Sequence, residues 1–233
     1  MMWKKLCVMF VLAVAFAHAA SAQKVTPTPG PEDDYSDITE AYQDYSGEVD
    51  DAESLIEGLS GIGLIEGDGE LLFTTHTATE FLGDSGHGEA TYVNYAMGAL
   101  TSVRELPDGT LGICTFITRG IGNIEGGIEQ AVGVILTSDD QIRILELVPN
   151  RSTPRTTSAD YPESGSATLY SPHYVLVVVK DDTVSVWIDA QLYIDSWELE
   201  NELPEDGEYA EPVLTTVNPE PGCVMTSLWG YGF

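Results

Sequence analysis

Basic residues are what this chain has least of. Nine lysines and arginines stand against 38 aspartates and glutamates in 233 residues, a formal net charge of −29. Such a surface repels phosphate backbones, which excludes nucleic-acid binding. It also repels anionic lipid headgroups. It attracts cations and suits salt-rich surroundings. Cysteine is scarce too, with three residues, and histidine has four. His76, His87 and His173 are widely spaced, so no His/Cys metal cluster is expected. No Ser-His-Asp or Cys-His arrangement suggests nucleophilic catalysis. Gly61-Ile62-Gly63 and Gly120-Ile121-Gly122 are lone glycine pairs without a nucleotide-binding context.

Long apolar runs are limited to the start of the chain. Lys4 and Lys5 precede an apolar stretch over residues 6–17, and Ala20-Ser21-Ala22 makes a small-residue cleavage pattern. Residues 1–22 therefore read as a signal peptide. The stretch is too short for a bilayer, which takes about 20 residues. No cysteine marks a lipoprotein anchor, so the mature chain is expected to start near Gln23 and to be exported without membrane insertion. Removing the signal leaves seven basic residues and a net charge of −31. Cys7 leaves with it. Cys114 and Cys223 remain, an even pair in an oxidising compartment. They read either as a disulfide or as two buried thiols.

Residues 23–61 read as a Pro-rich and acidic linker. Thr26-Pro27-Thr28-Pro29-Gly30-Pro31 is a stiff spacer. The acid-rich stretch after it carries scattered tyrosines. Residues 49–59 have some helical character, which like-charge repulsion opposes. The segment is either a disordered stalk or an arm that docks on a partner or binds cations.

From residue 62 onward the pattern is β throughout. Strands are expected at 70–75, 91–105, 110–119, 131–137, 141–148 and 224–231, with a Gly-rich loop at 120–127 and a polar loop at 149–166. The segment His173–Trp197 reads as three antiparallel strands with reversals at Asp181-Asp182 and Ala190-Gln191. About ten strands over about 170 residues give an all-β fold, a single two-sheet antiparallel jelly-roll sandwich or barrel spanning 62–233. In the meander, alternation sends Val184, Val186 and Ile188 to the core. Leu192 and Ile194 continue that set. Trp187, Tyr193, Trp197, Asp189 and Asp195 fall on the opposite face. Residues 174–179 are apolar on both faces, as a central, covered strand would be.

Three pieces of this domain carry a resemblance. Gly67-Asp68-Gly69-Glu70-Leu71 resembles an opening "dGeL" strand. Residues 111–119, LGICTFITR, are similar to a "G-apolar-x-x-R" strand. Residues 177–191, VVVKDDTVSVWIDAQ, resemble a "V-x-V-x-G-d-x-V-x-V-y-v-d-G-q" hairpin. Together they resemble the concanavalin A-like lectin/glucanase superfamily, in its laminin-G-like and bacterial secreted jelly-roll branches. Asp181 and Ala190 stand where that pattern has glycine. The resemblance implies two curved antiparallel sheets, and often glycan binding on the concave face. It does not imply catalysis, because one fold hosts many functions.

Three chemistries compete. Trp187, Tyr193 and Trp197 would stack sugar rings while Asp189, Asp195 and Gln191 take hydroxyls, and the competing role for these rings is core packing. Glu66, Asp68 and Glu70 have the E-x-D-x-E spacing of a glucanase. Along a strand the outer two stand roughly 13 Å apart, whereas retaining hydrolysis takes carboxyl groups about 5–5.5 Å apart. The flanking glycines suit a turn instead. Asp139-Asp140, Asp181-Asp182, Asp189 and Asp195 offer oxygen ligands suited to calcium, in no EF-hand order. Asn150-Arg151-Ser152 is a glycosylation sequon. Trp229, Tyr231 and Phe233 alternate as in an outer-membrane barrel ending, but continuous apolar strands fit a sandwich better.

The expectation is a secreted or cell-surface, non-enzymatic carbohydrate-binding or adhesion module. A structural subunit of a sheath, envelope layer or filament, self-assembling through residues 23–61, is the alternative. A glycoside hydrolase is the third.

Overall fold

The computed structural model describes residues 23–24, 49–77, 81–82, 94–123, 127–148, 153–160, 172–189, 191–200, 215–217 and 222–233. They form two stacked sheets and one helix. The first sheet contains β1 (Gln23–Lys24), β3 (Phe81–Leu82), β5 (Ile113–Asn123), β6 (Gly127–Thr137), β7 (Gln141–Leu147), β8 (Arg155–Asp160) and β12 (Thr215–Val217). Its order is β1-β8-β7-β6-β5-β12-β3. The second contains β2 (Glu70–Thr77), β4 (Tyr95–Val103), β9 (His173–Lys180), β10 (Thr183–Ile188), β11 (Gln191–Glu198) and β13 (Cys223–Gly232). Its order is β11-β10-β9-β4-β13-β2. All neighbours are antiparallel except β1 on β8. The chain is thus a two-sheet antiparallel β-sandwich.

The main core lies between the sheets. Val175, Val177, Val179, Val184, Val186 and Ile188 meet Cys114, Phe116, Val134 and Ile144 from the facing sheet. The meander therefore turns Val184, Val186, Ile188 and Ile194 inward, whereas Leu192, expected with them, packs on the outer cluster. Cys114 on β5 and Cys223 on β13 form a disulfide between the two sheets, 109 residues apart in sequence. The chain-entropy treatment assigns such a long loop up to about 4–5 kcal/mol.

Strand β9 is central, between β10 and β4. Leu176 and Val178 on its other face lie in a second apolar cluster. That cluster needs a cover, and the cover is α1 (Val49–Gly61). Ala52, Leu55, Ile56 and Leu59 fall at i, i+3, i+4 and i+7, and all four are buried. Glu53 and Glu57 face water, so like-charge repulsion does not act across the buried seam. The helix stops at a Schellman turn. Leu64 N–H donates to Leu59 O and Gly63 N–H to Ser60 O, with Gly63 at φ +79°. The end of the expected acidic linker is therefore a helix packed into the outer cluster.

Two expected loops are also strand. The Gly-rich stretch at 120–127 is mostly taken up by β5 and β6, which pair as far as Asn123↔Gly127. The polar stretch at 149–166 contains β8, drawn into the ladder by β7. In both, cross-strand pairing overrides weak local propensity. The signal peptide and Asn150 lie outside the described residues.

The β9–β10 reversal has two central residues, Asp181 and Asp182, at φ +47° and +60°. A two-residue hairpin turn of this hand favours glycine at its second position. Asp182→Gly should therefore raise the unfolding free energy by about 0.5–1 kcal/mol. Urea unfolding checks this through a raised midpoint at constant slope.

Candidate functional site

The three rings expected on one face are not together. Strand β10 meets β11 with two register shifts. Val184 faces Trp197 and Val186 faces Ile194, so Asp195 and Ser196 together oppose Ser185. Ser196 sits at φ +44° and its N–H donates to Ser185 Oγ at 2.9 Å. Val186 and Trp187 then face Ile194 and Leu192, which leaves Tyr193 as an extra residue. A shift of one residue moves a side chain to the other face. Tyr193 and Ile194 consequently both belong to the main core, and Trp197 packs against it. Trp187 and Leu192 belong to the outer cluster under α1. The expected platform of Trp187, Tyr193 and Trp197 is thus divided between the two faces of the sheet.

Trp197 has a different partner. The Arg155 guanidinium lies 4.9 Å from its ring centroid. Arg155 Nη1 also donates to Glu146 Oε2 at 2.6 Å, and its Nε reaches Glu200 Oε2 at 3.3 Å. Glu146 is only 1% exposed and also accepts from Glu200 N–H. Because β7 and β8 lie in one sheet and β11 in the other, this group clamps the sandwich at one end. Asp195 is exposed and accepts from its neighbour Ser196.

The glucanase-like acids lie on a turn. Glu66, Asp68 and Glu70 are all exposed, and only Glu70 is in a strand. Glu66 pairs with Lys180 Nζ at 3.5 Å. The shared strand face that paired-carboxylate chemistry requires does not form. Among the described residues no group of three or more His, Cys, Asp or Glu stands where it would hold a metal ion.

The aromatic residues gather elsewhere. Tyr174, Trp187, Trp229, Tyr231 and Phe233 all meet in the outer cluster. The register explains why. Trp229, Gly98, Leu176, Trp187 and Leu192 form one row across β13, β4, β9, β10 and β11. Gly98 is the low point of the row. A Cβ there would stand 2.4 Å from Trp229 Nε1, so the indole lies directly over the glycine. Trp187 and Trp229 are 5% and 0% exposed, and neither indole N–H has a hydrogen-bond partner. Leaving such a donor unpaired costs about 1–3 kcal/mol.

The margins of this face reach solvent. Tyr174, Leu192 and Phe233 are half-buried. At the Tyr174 margin, Asp189 turns at φ +48°. Its carboxylate accepts from Tyr174 N–H at 2.9 Å and meets His173 Nδ1 at 2.5 Å. Gln191, also exposed, takes the Tyr193 hydroxyl at 3.3 Å. The corner therefore sets one half-exposed ring, Tyr174, beside a carboxylate. Of the six residues expected to bind sugar, Trp187 and Asp189 fall on this face, whereas Gln191 pairs with Ile188 and bonds Tyr193 on the side of the main core. At the opposite margin, Tyr231 stacks on Phe233 with centroids 5.9 Å apart, and its hydroxyl accepts from Gly69 N–H.

Tyr174, Trp229 and Tyr231 were not singled out for this face by pattern alone. The signal was the alternation Trp229, Tyr231, Phe233 together with the helical spacing of Ala52, Leu55, Ile56 and Leu59.

No protein-family model matches this chain. No curated protein matches it either. Several solved structures do. Trypanosoma rangeli sialidase is 17% identical with a TM-score of 0.36, over 59% of this chain and 20% of that one. The CBM40 module of a Ruminococcus gnavus IT-sialidase, bound to alpha2,6 sialyllactose, is 10% identical with a TM-score of 0.44, over 71% and 90%. An endo-beta-1,3-glucanase from Pyrococcus furiosus is 14% identical with a TM-score of 0.41, over 66% and 63%. The match spans only about a fifth of the sialidase. These neighbours are jelly-roll or concanavalin-like sandwiches. The likeness is one of architecture and does not extend to a site.

Two outcomes follow from the geometry. Gly98→Ala should push the Trp229 ring off its seat and cost about 1–3 kcal/mol, visible as a lower melting temperature with an altered near-UV tryptophan signal. Burial, reinforced by the nearby Asp68 charge, holds the Tyr231 phenol above its usual range, against the Gly69 hydrogen bond. The folded state therefore favours the neutral phenol. Its contribution is intact below the ordinary tyrosine value of about 10 and is lost as pH rises through the higher folded value. Tyr231→Phe should flatten the fall in stability above about pH 10, measured as melting temperature against pH.

Proposed function

We propose that this protein is an exported, non-enzymatic carbohydrate-binding or adhesion module. The observation that supports the reading is the corner of the six-stranded sheet. There a half-exposed ring, Tyr174, shares the outer apolar cluster with Trp187 and Leu192, and the Asp189 carboxylate accepts from its N–H. A sugar ring presents C–H groups to such a face and hydroxyls to the neighbouring carboxylate. Calcium is a proposed aid through the surface aspartates.

A glycan array, run with and without calcium, tests this. The wild type should be retained on at least one glycan. Tyr174→Ala should reduce retention about tenfold or more, the loss of a stacking ring worth roughly 1.4 kcal/mol or above, at temperatures well below a somewhat lowered melting point. An array without retention under either condition overturns the reading.

A structural subunit of an extracellular layer is the second reading. It draws on two observations. Gln23–Lys24 adds to the β8 edge as a parallel strand, and α1 docks on the far sheet. The arm before the sandwich thus has two surfaces that a neighbouring copy can present. Concentration-dependent oligomers in light scattering, with an empty array, favour it over the first.

A further inference from the structure

We propose that α1 is a displaceable lid over an inner subsite, which takes a second sugar ring once the helix lifts. This rests on the carbohydrate-binding reading and names the regulation of the same face. The subsite is the face beneath the helix, with Ala96, Leu176 and Val178 as floor, Trp187 at one side, and the Trp229 ring, seated on Gly98, at the other.

Three observations carry it. First, both indole N–H groups are more than nine-tenths buried and unpaired. Apolar helix side chains cannot satisfy them. A ligand with a flat C–H face and acceptor oxygens can do so while keeping the burial. The lid contributes Ala52, Leu55, Ile56 and Leu59 to this cluster, all apolar.

Second, the lid is weakly held by its own nature. It has 13 residues, near the length at which an isolated helix is marginal in water. Its position therefore depends on four side chains. It carries Glu53 and Glu57 on its outer face and no basic residue in its last turn. The domain beneath has the same sign of charge.

Third, the subsite is continuous with the exposed corner. Trp187 pairs with Leu176 on one side and with Leu192 on the other, and the half-exposed Tyr174 lies two residues along β9 from Leu176 on the same face. A saccharide seated on Tyr174 extends along this row only by displacing the helix. Short ligands thus bind the corner alone, and longer ones compete with α1.

Full-length mature protein is titrated calorimetrically with laminarihexaose, xylohexaose and maltohexaose, each beside its monosaccharide. Leu55→Ala is compared with the wild type, and Leu59→Ala replaces it if the first does not fold. Loosening the lid raises the open fraction, so hexasaccharide affinity should rise about tenfold while monosaccharide affinity stays constant. Adding Trp229→Phe, which keeps a ring and removes the N–H, should cancel that gain. In the wild type, a bound hexasaccharide should speed amide exchange across residues 52–60. Slower or unchanged exchange there, or equal hexasaccharide affinity in wild type and Leu55→Ala, overturns the lid. If Tyr174→Ala abolishes binding while Leu55→Ala changes nothing, the lid falls and the carbohydrate reading stands. If no saccharide binds any variant, both fall.

Discussion

The six-stranded sheet is apolar on both faces, so it must be covered twice. That constraint arranges the rest of the molecule. Val175, Val177 and Val179 of β9 face the opposite sheet, and Leu176 and Val178 face away from it. An uncovered outer face of this kind is an aggregation surface. The acidic segment before the sandwich is recruited to cover it, through one helical stripe of four side chains. The helix in turn hides most of the aromatic residues that a binding surface would use. What remains open is the margin where the helix ends its cover.

Much of this was legible in residues. The doubly apolar β9, the inward set of Val184, Val186 and Ile188, and the two-acid turn at Asp181-Asp182 all follow from spacing and turn chemistry. The division of the rings was not legible. It depends on two bulges between β10 and β11, and a bulge is set by local backbone fit rather than by side-chain pattern. Ser196, at positive φ with its N–H on Ser185 Oγ, has no sequence signature that separates it from an ordinary strand serine. The helix was half legible. Its i, i+3, i+4, i+7 spacing was present, but the acids around it argue for a solvated tail unless a waiting apolar face is known.

The candidate site shows the same mixture. Asp189 stands at the sandwich corner because it begins the turn from β10 to β11. Tyr174 belongs with it only because β9 pairs with β10, a long-range fact. Gln191, opposite Ile188, falls on the core side. Trp197 was the right residue type in the wrong role. Its ring carries the Arg155 guanidinium, and the Glu146 carboxylate behind that arginine is almost wholly buried. Breaking a buried pair by removing one partner costs about 3–5 kcal/mol. The cluster therefore behaves as a fastening between sheets, not as a platform.

Charge bears on the proposed ligand class. Beyond residue 22 the sequence has seven basic residues. Three of them spend their charge internally: Arg155 on Glu146 and Glu200, Lys180 on Glu66, and Arg143 on Asp139 at 3.9 Å. The acidic excess reaches outward. A carboxylated or sulfated glycan would approach against that field and meet the Asp189 carboxylate beside Tyr174. A neutral saccharide meets no such barrier, since stacking and hydroxyl hydrogen bonds depend little on net charge. Under the proposed carbohydrate reading, the acidity therefore favours uncharged sugars.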